Sequence, residues 1–147
     1  MSGRLVHSSA VEVAVPAERA FEYLADGLKQ SEWALGSWRR EQVGDGLFRG
    51  TSLFTGELVY VRITATRPLL LVDYEVGPSP ERLMRVNSAR AIPGEVLGRG
   101  PETSVVTLTK WRLPGQDDEA WEHACATFDT EIRMIKGRLE RGFRDPE

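Results

Sequence analysis

The 147-residue chain predicts an α+β fold in which a single antiparallel sheet packs against a long C-terminal helix. Three observations carry that prediction. The chain opens on a β-branched segment of period 2. Between Trp38 and Arg112 it breaks into short β-forming runs separated by Gly and Pro. After Pro114-Gly115 the apolar period changes to that of a helix and persists.

Residues 5–15 place Val11, Val13 and Val15 on alternating positions beside small or charged neighbours, which predicts a half-buried first strand with its odd positions inward. Pro16 follows, and Ala17, Ala20, Phe21 and Leu24 recur at helical spacing up to Asp26-Gly27. Proline at a helix start and glycine just past its end delimit a short amphipathic helix. Residues 28–37 carry Leu28, Trp33, Leu35 and Gly36 and predict a second short helix or a turn.

Six further strands are expected over 38–43, 47–55, 57–67, 69–76, 82–92 and 103–112. In 57–67, Val59, Val61, Ile63 and Ala65 alternate with Tyr60, Arg62, Thr64 and Thr66, so one face is covered and the other meets water. The connections carry turn chemistry, as in Gly44-Asp45-Gly46, Arg67-Pro68 and Gly98-Arg99-Gly100-Pro101. In the final helix Trp121, Ala124, Cys125, Phe128, Ile132, Ile135 and Leu139 form one stripe. Asp117, Asp118 and Glu119 begin it and Lys136, Arg138 and Arg141 end it, the polarity that the helix dipole favours. Such a stripe can be buried only against the covered face of the sheet.

Composition narrows the function. A net charge of −3, with 19 basic and 22 acidic side chains and no basic cluster wider than Arg39-Arg40, lacks the footprint of a nucleic-acid or anionic-membrane binder. The single cysteine, Cys125, excludes an internal disulfide and fits a cytoplasmic protein. His7 and His123 cannot complete the usual Cys and His set of a zinc site, so no metal and no cofactor is expected. The longest apolar run, Leu69 to Val72, is far shorter than the ~20 residues of a membrane span.

The element order, the segment Val13-Ala-Val-Pro-Ala-Glu-Arg-Ala-Phe-Glu-Tyr-Leu-Ala-Asp26, the pair Trp33 and Trp38, and a final helix holding Trp121 together resemble the START-like superfamily. Its members are also called Bet v 1-like, helix-grip or SRPBCC proteins. The resemblance spans roughly residues 4–141 and implies one START-like domain over 1–147, with a seven-stranded antiparallel sheet wrapped around the C-terminal helix and an apolar cavity between them. It implies no single reaction, because this frame hosts lipid carriers, hormone sensors, cyclases and co-chaperone parts.

No motif supplies a reaction by itself. Gly44-Asp-Gly46-Leu-Phe-Arg-Gly50 has one residue too many for a dinucleotide loop and precedes a strand, so it reads as a hairpin turn; no Walker loop, His-Glu-x-x-His or Gly-x-Ser-x-Gly is present. Cys125 lies within the apolar stripe as a small hydrophobe, and His123 faces away from it. Trp33, Trp38, Trp111 and Trp121 are expected near one end of the helix, where, with Phe128, rigid rings can line a pocket. By strand parity Tyr74, Ser88 and Arg90 are the polar groups that can reach the inside, although Arg90 can equally extend to solvent. In strand 103–112, Val105 with Trp111 and Val106 with Leu108 compete for the inward face.

The expected function is therefore binding or carriage of a small hydrophobic molecule by a monomer or homodimer, without membrane insertion. The alternatives are a cyclase/dehydratase-like enzyme using Tyr74 or Arg90 to polarise a carbonyl, and an Aha1-like protein-interaction module. An enzyme would need a buried, paired acid or base, and the sequence displays no evident one.

Overall fold

A computed structural model of the chain describes residues 4–144; the outermost residues of the expected 1–147 domain, 1–3 and 145–147, lie outside the described residues. Strand β1 (Val6–Val13) leads into helix α1 (Ala17–Ala25). Then come β2 (Trp38–Gly44), β3 (Leu47–Thr51), β4 (Leu58–Thr66), β5 (Leu71–Gly77), β6 (Met84–Pro93), β7 (Ser104–Trp111) and helix α2 (Asp118–Arg141). All pairings are antiparallel, in the order β1-β7-β6-β5-β4-β3-β2, so the first strand returns to pair with the last and every other neighbour is a sequence neighbour. This is the helix-grip arrangement. No helix of the described residues is long and apolar enough to cross a membrane.

Local chemistry explains most boundaries, with three departures from expectation, the first being that the strand expected over 47–55 ends at Thr51. The segment after α1 is one 3₁₀ turn, Lys29–Glu32, and not a second helix. Leu69 and Leu70, expected in β5, instead close a 3₁₀ turn over Arg67–Leu69, with Leu70 in the left-handed region at φ 49°. Pro68 cannot donate to a sheet ladder, so the strand begins only beyond that turn. For β7 the open choice resolves in favour of Ser104, Val106 and Leu108, all fully buried, and Trp111 falls on the opposite face.

Helix α2 caps as its sequence indicates: the Asp117 side chain accepts from the Ala120 amide at 2.8 Å, and Gly142, at φ 81°, donates to the Arg138 carbonyl. Its apolar stripe packs on β1 and β7, while α1 covers the middle of the same face. The core unites Val13, Phe21, Leu24, Val72, Val106, Leu108, Ile132 and Ile135. Polar ties along β1 hold α2 in place: Ser9 donates to Asp129 at 2.6 Å, Lys136 to the Glu12 carbonyl at 2.7 Å, and the Ala14 amide to Glu140 at 2.8 Å.

Candidate functional site

The segment between α1 and β2 crosses the open side of the sheet and leaves a cavity of about 180 Å³ beneath it. Val59 and Val61 of β4, Val76 of β5, Val86 of β6 and Phe128 of α2 form its apolar wall. The polar lining comes from that crossing stretch, through Gln30, Trp33, Ser37 and Arg40, and from Tyr74, Asn87, Lys110 and Glu131. That stretch is pinned from several sides. Leu35 donates its amide to Glu131 of α2 at 2.7 Å and accepts from the Leu53 amide at 3.0 Å, and the Arg40 amide donates to the Ser31 hydroxyl at 2.8 Å. Gly50 of β3 permits the approach, since a Cβ there would lie 2.5 Å from the Ser37 hydroxyl and 2.9 Å from the Trp38 carbonyl.

Two β-bulges border the cavity and re-aim side chains into it. In β2, Trp38 pairs with Thr51 and Glu41 with Arg49, so β2 carries one extra residue, and Arg39 takes the left-handed conformation at φ 52°. Regular alternation would put Trp38 and Arg40 on one face. The bulge separates them, leaving Trp38 exposed beneath the Arg39 guanidinium, 4.3 Å from its ring, and turning Arg40 inward. In β6, Tyr74 pairs with Asn87 but Glu75 with Arg85, and consecutive residues Val86 and Asn87 both reach the cavity.

The site is charged as well as apolar. Burial pushes the Glu131 carboxyl up to about 7, against the opposing pull of the Leu35 amide, Lys110 and Arg40. Burial likewise pushes Arg40 down to about 10 and lowers Lys110, whose ammonium lies 4.2 Å from the centre of the Phe128 ring. The Tyr74 hydroxyl is raised by burial and donates to the Leu24 carbonyl at 2.6 Å, closing the end of α1 onto the sheet. Four atoms sealed from solvent around this space have no hydrogen-bond partner among the described residues: Gln30 Oε1, Trp33 Nε1, Ser37 Oγ and Arg40 Nη1. Buried polar atoms are ordinarily paired, so four unpaired ones on residues that line one cavity leave unused hydrogen-bonding capacity beside it.

Of the residues singled out from the sequence, Trp33, Tyr74 and Phe128 line the cavity, with the Trp33 and Tyr74 rings edge-on at 6.4 Å. The other five lie elsewhere. Trp38 is turned out by the bulge. Trp121 is fully buried near the start of α2, beyond the cavity wall. Trp111 lies on the outer face of β7, donating to the Arg85 carbonyl at 3.1 Å. Unbroken parity with Val86 would turn Ser88 and Arg90 inward, but the β6 bulge reverses it. Beyond the bulge Asn87, Ala89 and Ala91 point inward, and Arg90 is exposed, bonded to the Leu69 carbonyl at 3.2 Å.

The sequence reading missed Gln30, Ser37, Arg40, Asn87, Lys110 and Glu131, and with Glu131 the buried acid that it had sought. Two signals were available. Lys110 continues the Val106-Leu108 parity, and Glu131 lies one helical turn from both Phe128 and Ile135.

A second constellation has the residue types of a hydrolase triad without its geometry. Ser9 and His7 both bond Asp129 Oδ1, at 2.6 and 2.8 Å, and the same His7 nitrogen is 3.4 Å from the serine oxygen. A base relay needs the two imidazole nitrogens to face different partners. Here the carboxylate accepts the hydrogen bond of the serine hydroxyl directly, and the cluster joins β1 to α2. Cys125 is buried and its thiol is pushed up by burial, away from the reactive thiolate.

No protein-family model matches the chain, and a search of curated proteins finds no match. Solved structures do match. The Zhui aromatase/cyclase from Streptomyces sp. R1128 is 21% identical, with 95% of each chain covered and a TM-score of 0.66. A START superfamily protein from Mycobacterium smegmatis is 14% identical over 92% of this chain and 97% of its own, at 0.66. The Aha1 dimer from Colwellia psychrerythraea is 16% identical over 95% and 98%, at 0.65. These likenesses establish the START-like, helix-grip fold; at such identities they carry the fold alone.

Proposed function

We propose that the protein binds a small, mainly apolar molecule, about one ring or a short acyl chain in size, in the cavity between the sheet and α2. The supporting observation is the cavity itself, walled by aliphatic and aromatic side chains and by four residues that hold unpartnered polar atoms. Its 180 Å³ is close to the ~150 Å³ of an apolar cavity that accepts benzene and below the ~300–1,000 Å³ usual for drug-sized ligands. A long lipid or a folded poly-keto chain does not fit that volume. The same reading treats the chain as one ligand-binding domain.

Native mass spectrometry for a co-purified molecule tests this, together with titration of toluene followed by tryptophan fluorescence and melting temperature. Trp33 in the wall makes the first signal local. Val59→Phe, which puts a ring into the cavity, should abolish the toluene response while the protein stays folded. An unchanged response in that variant, or none in the wild-type protein, would sink the reading.

One observation favours a second reading, an enzyme related in chemistry to the aromatase/cyclases among the fold neighbours. Glu131, pushed up to about 7 beside Lys110 and Arg40, is suited to take up and return a proton near neutral pH. Tyr74 is not the proton donor in this reading, because its hydroxyl is committed to Leu24. Binding leads because Glu131 Oε2 is committed to the Leu35 amide and the Ser37 hydroxyl that shares the cavity has no hydrogen bond to a base among the described residues. Turnover of a small carbonyl compound that collapses in Glu131→Gln with unchanged affinity would reverse the order.

A further inference from the structure

We propose that the molecule held in this cavity is a carboxylate, bound through its charged oxygens at the Arg40 end with its apolar part against Val59, Val76 and Phe128. The inference rests on the binding reading above and names the class of ligand.

The first support is the sign of the unpartnered atoms. Trp33 Nε1 and Arg40 Nη1 can only donate, and the Ser37 hydroxyl can donate as well; all three come from the eight residues 33–40. Only Gln30 Oε1 is an acceptor among them, its amide nitrogen being turned to the Tyr74 hydroxyl. A carboxylate accepts several hydrogen bonds through two oxygens, and a guanidinium is its natural planar partner. An alcohol or a hydrocarbon leaves most of these donors unmet.

The second support is charge. Two cations, Arg40 and Lys110, line the cavity against one carboxyl, Glu131, whose Oε2 is already occupied by the Leu35 amide at 2.7 Å. Arg40 spends its Nε on the Ser37 carbonyl at 3.2 Å, which fixes the guanidinium plane and leaves Nη1 unpartnered in a residue that lines the cavity. The lining carries a net charge of one positive unit with Glu131 ionised and two with it protonated, and a bound monoanion offsets it.

The third support is backbone conformation. Arginine 39 sits in the left-handed region, which a non-glycine residue rarely adopts, and the extra residue there is what swings Arg40 from the solvent face to the cavity. Strained backbone of this kind persists where it positions a functional side chain.

The test compares benzoate with benzyl alcohol and toluene, which share the ring and differ in the polar end, by calorimetric titration of the wild-type protein. Benzoate should bind at least about tenfold more tightly than benzyl alcohol, as expected for a charge-assisted pair replacing a neutral one. Arg40→Met should remove that preference and leave toluene binding within about threefold, and Arg40→Lys should restore part of it as a point charge. A pH arm needs no variant. Lys110 of β7, Arg40 of β2 and Tyr74 of β5 face Glu131, and no other cavity-lining residue titrates. Benzoate stays ionised from pH 6 to 8, so its affinity should fall over that interval as Glu131 loses its proton, while toluene affinity stays level. Benzyl alcohol or toluene binding as tightly as benzoate would overturn the carboxylate and leave the binding reading standing. Failure of all three to bind, with a crystal structure showing water alone on Trp33, Ser37 and Arg40, would overturn both.

Discussion

Glutamate 131 gives the sharpest test of the site's energetics, because a carboxyl buried at about 7 makes stability depend on pH in the unusual direction. Folding carries it from an ordinary value of 4.5 to about 7, so between these limits the folded protein holds a proton that the unfolded chain releases. Stability therefore falls as pH rises from about 4.5 to about 7, and the cost is complete above that. At ~1.4 kcal/mol per pH unit the interval amounts to about 3 kcal/mol, an order-of-magnitude figure. Glu131→Gln keeps an acceptor for the Leu35 amide and removes the titration. Urea unfolding of both proteins at pH 5 and pH 8 should show the variant gaining about 2 to 3 kcal/mol relative to wild type between the two. Asp129 and Glu140, whose carboxyls are held low by their hydrogen bonds, contribute equally to both proteins and cancel. A wild-type-to-variant difference constant within ~0.5 kcal/mol would show that Glu131 is not desolvated, and the charge accounting of the cavity would fail with it.

Phe128→Ala should destabilise by about 3 to 5 kcal/mol in urea unfolding, since the ring is 6% exposed and forms part of both core and cavity wall. His123→Ala, exposed and touching Phe54 edge-on, should change stability by less than ~0.5 kcal/mol. Arg39→Val places a β-branched residue at φ 52° and should cost about 1 to 2 kcal/mol in thermal unfolding, whereas Arg39→Gly, free to adopt that conformation, should remain within ~1 kcal/mol of wild type. Asp129 is held below the usual carboxylate range chiefly by Ser9, so its stabilisation is present above the unfolded value and lost as pH falls through the folded one. Asp129→Asn should therefore lower stability at pH 7 and lose that deficit as pH falls below about 4, which flattens the acid limb of a stability-versus-pH curve.

The sequence by itself determined the architecture. Period 2 from Val11 to Val15 and from Val59 to Ala65, period 3.6 from Trp121 to Leu139, and Gly or Pro at the junctions are local signals, and sheet and helix must bury the faces those periods create. The core residues Val13, Phe21, Val72 and Ile135 follow from the same rule, whereas the inward face of β7, with Leu108, was settled only by its pairing. Only the tertiary structure decided the polar half of the site. Parity is a reliable guide while a strand is regular, but one extra residue at Arg39 and another at Val86 reverse it. A bulge is fixed by what the neighbouring strand and the crossing chain demand, which no local pattern records. Arg40 therefore turned in while Trp38, Ser88 and Arg90 turned out. Glu131 was hidden for a different reason. A charged residue on an apolar stripe is ordinarily a surface residue at its margin, and it takes the Leu35 amide, reaching it from 96 positions away, with Lys110 and Arg40 to make its burial tolerable.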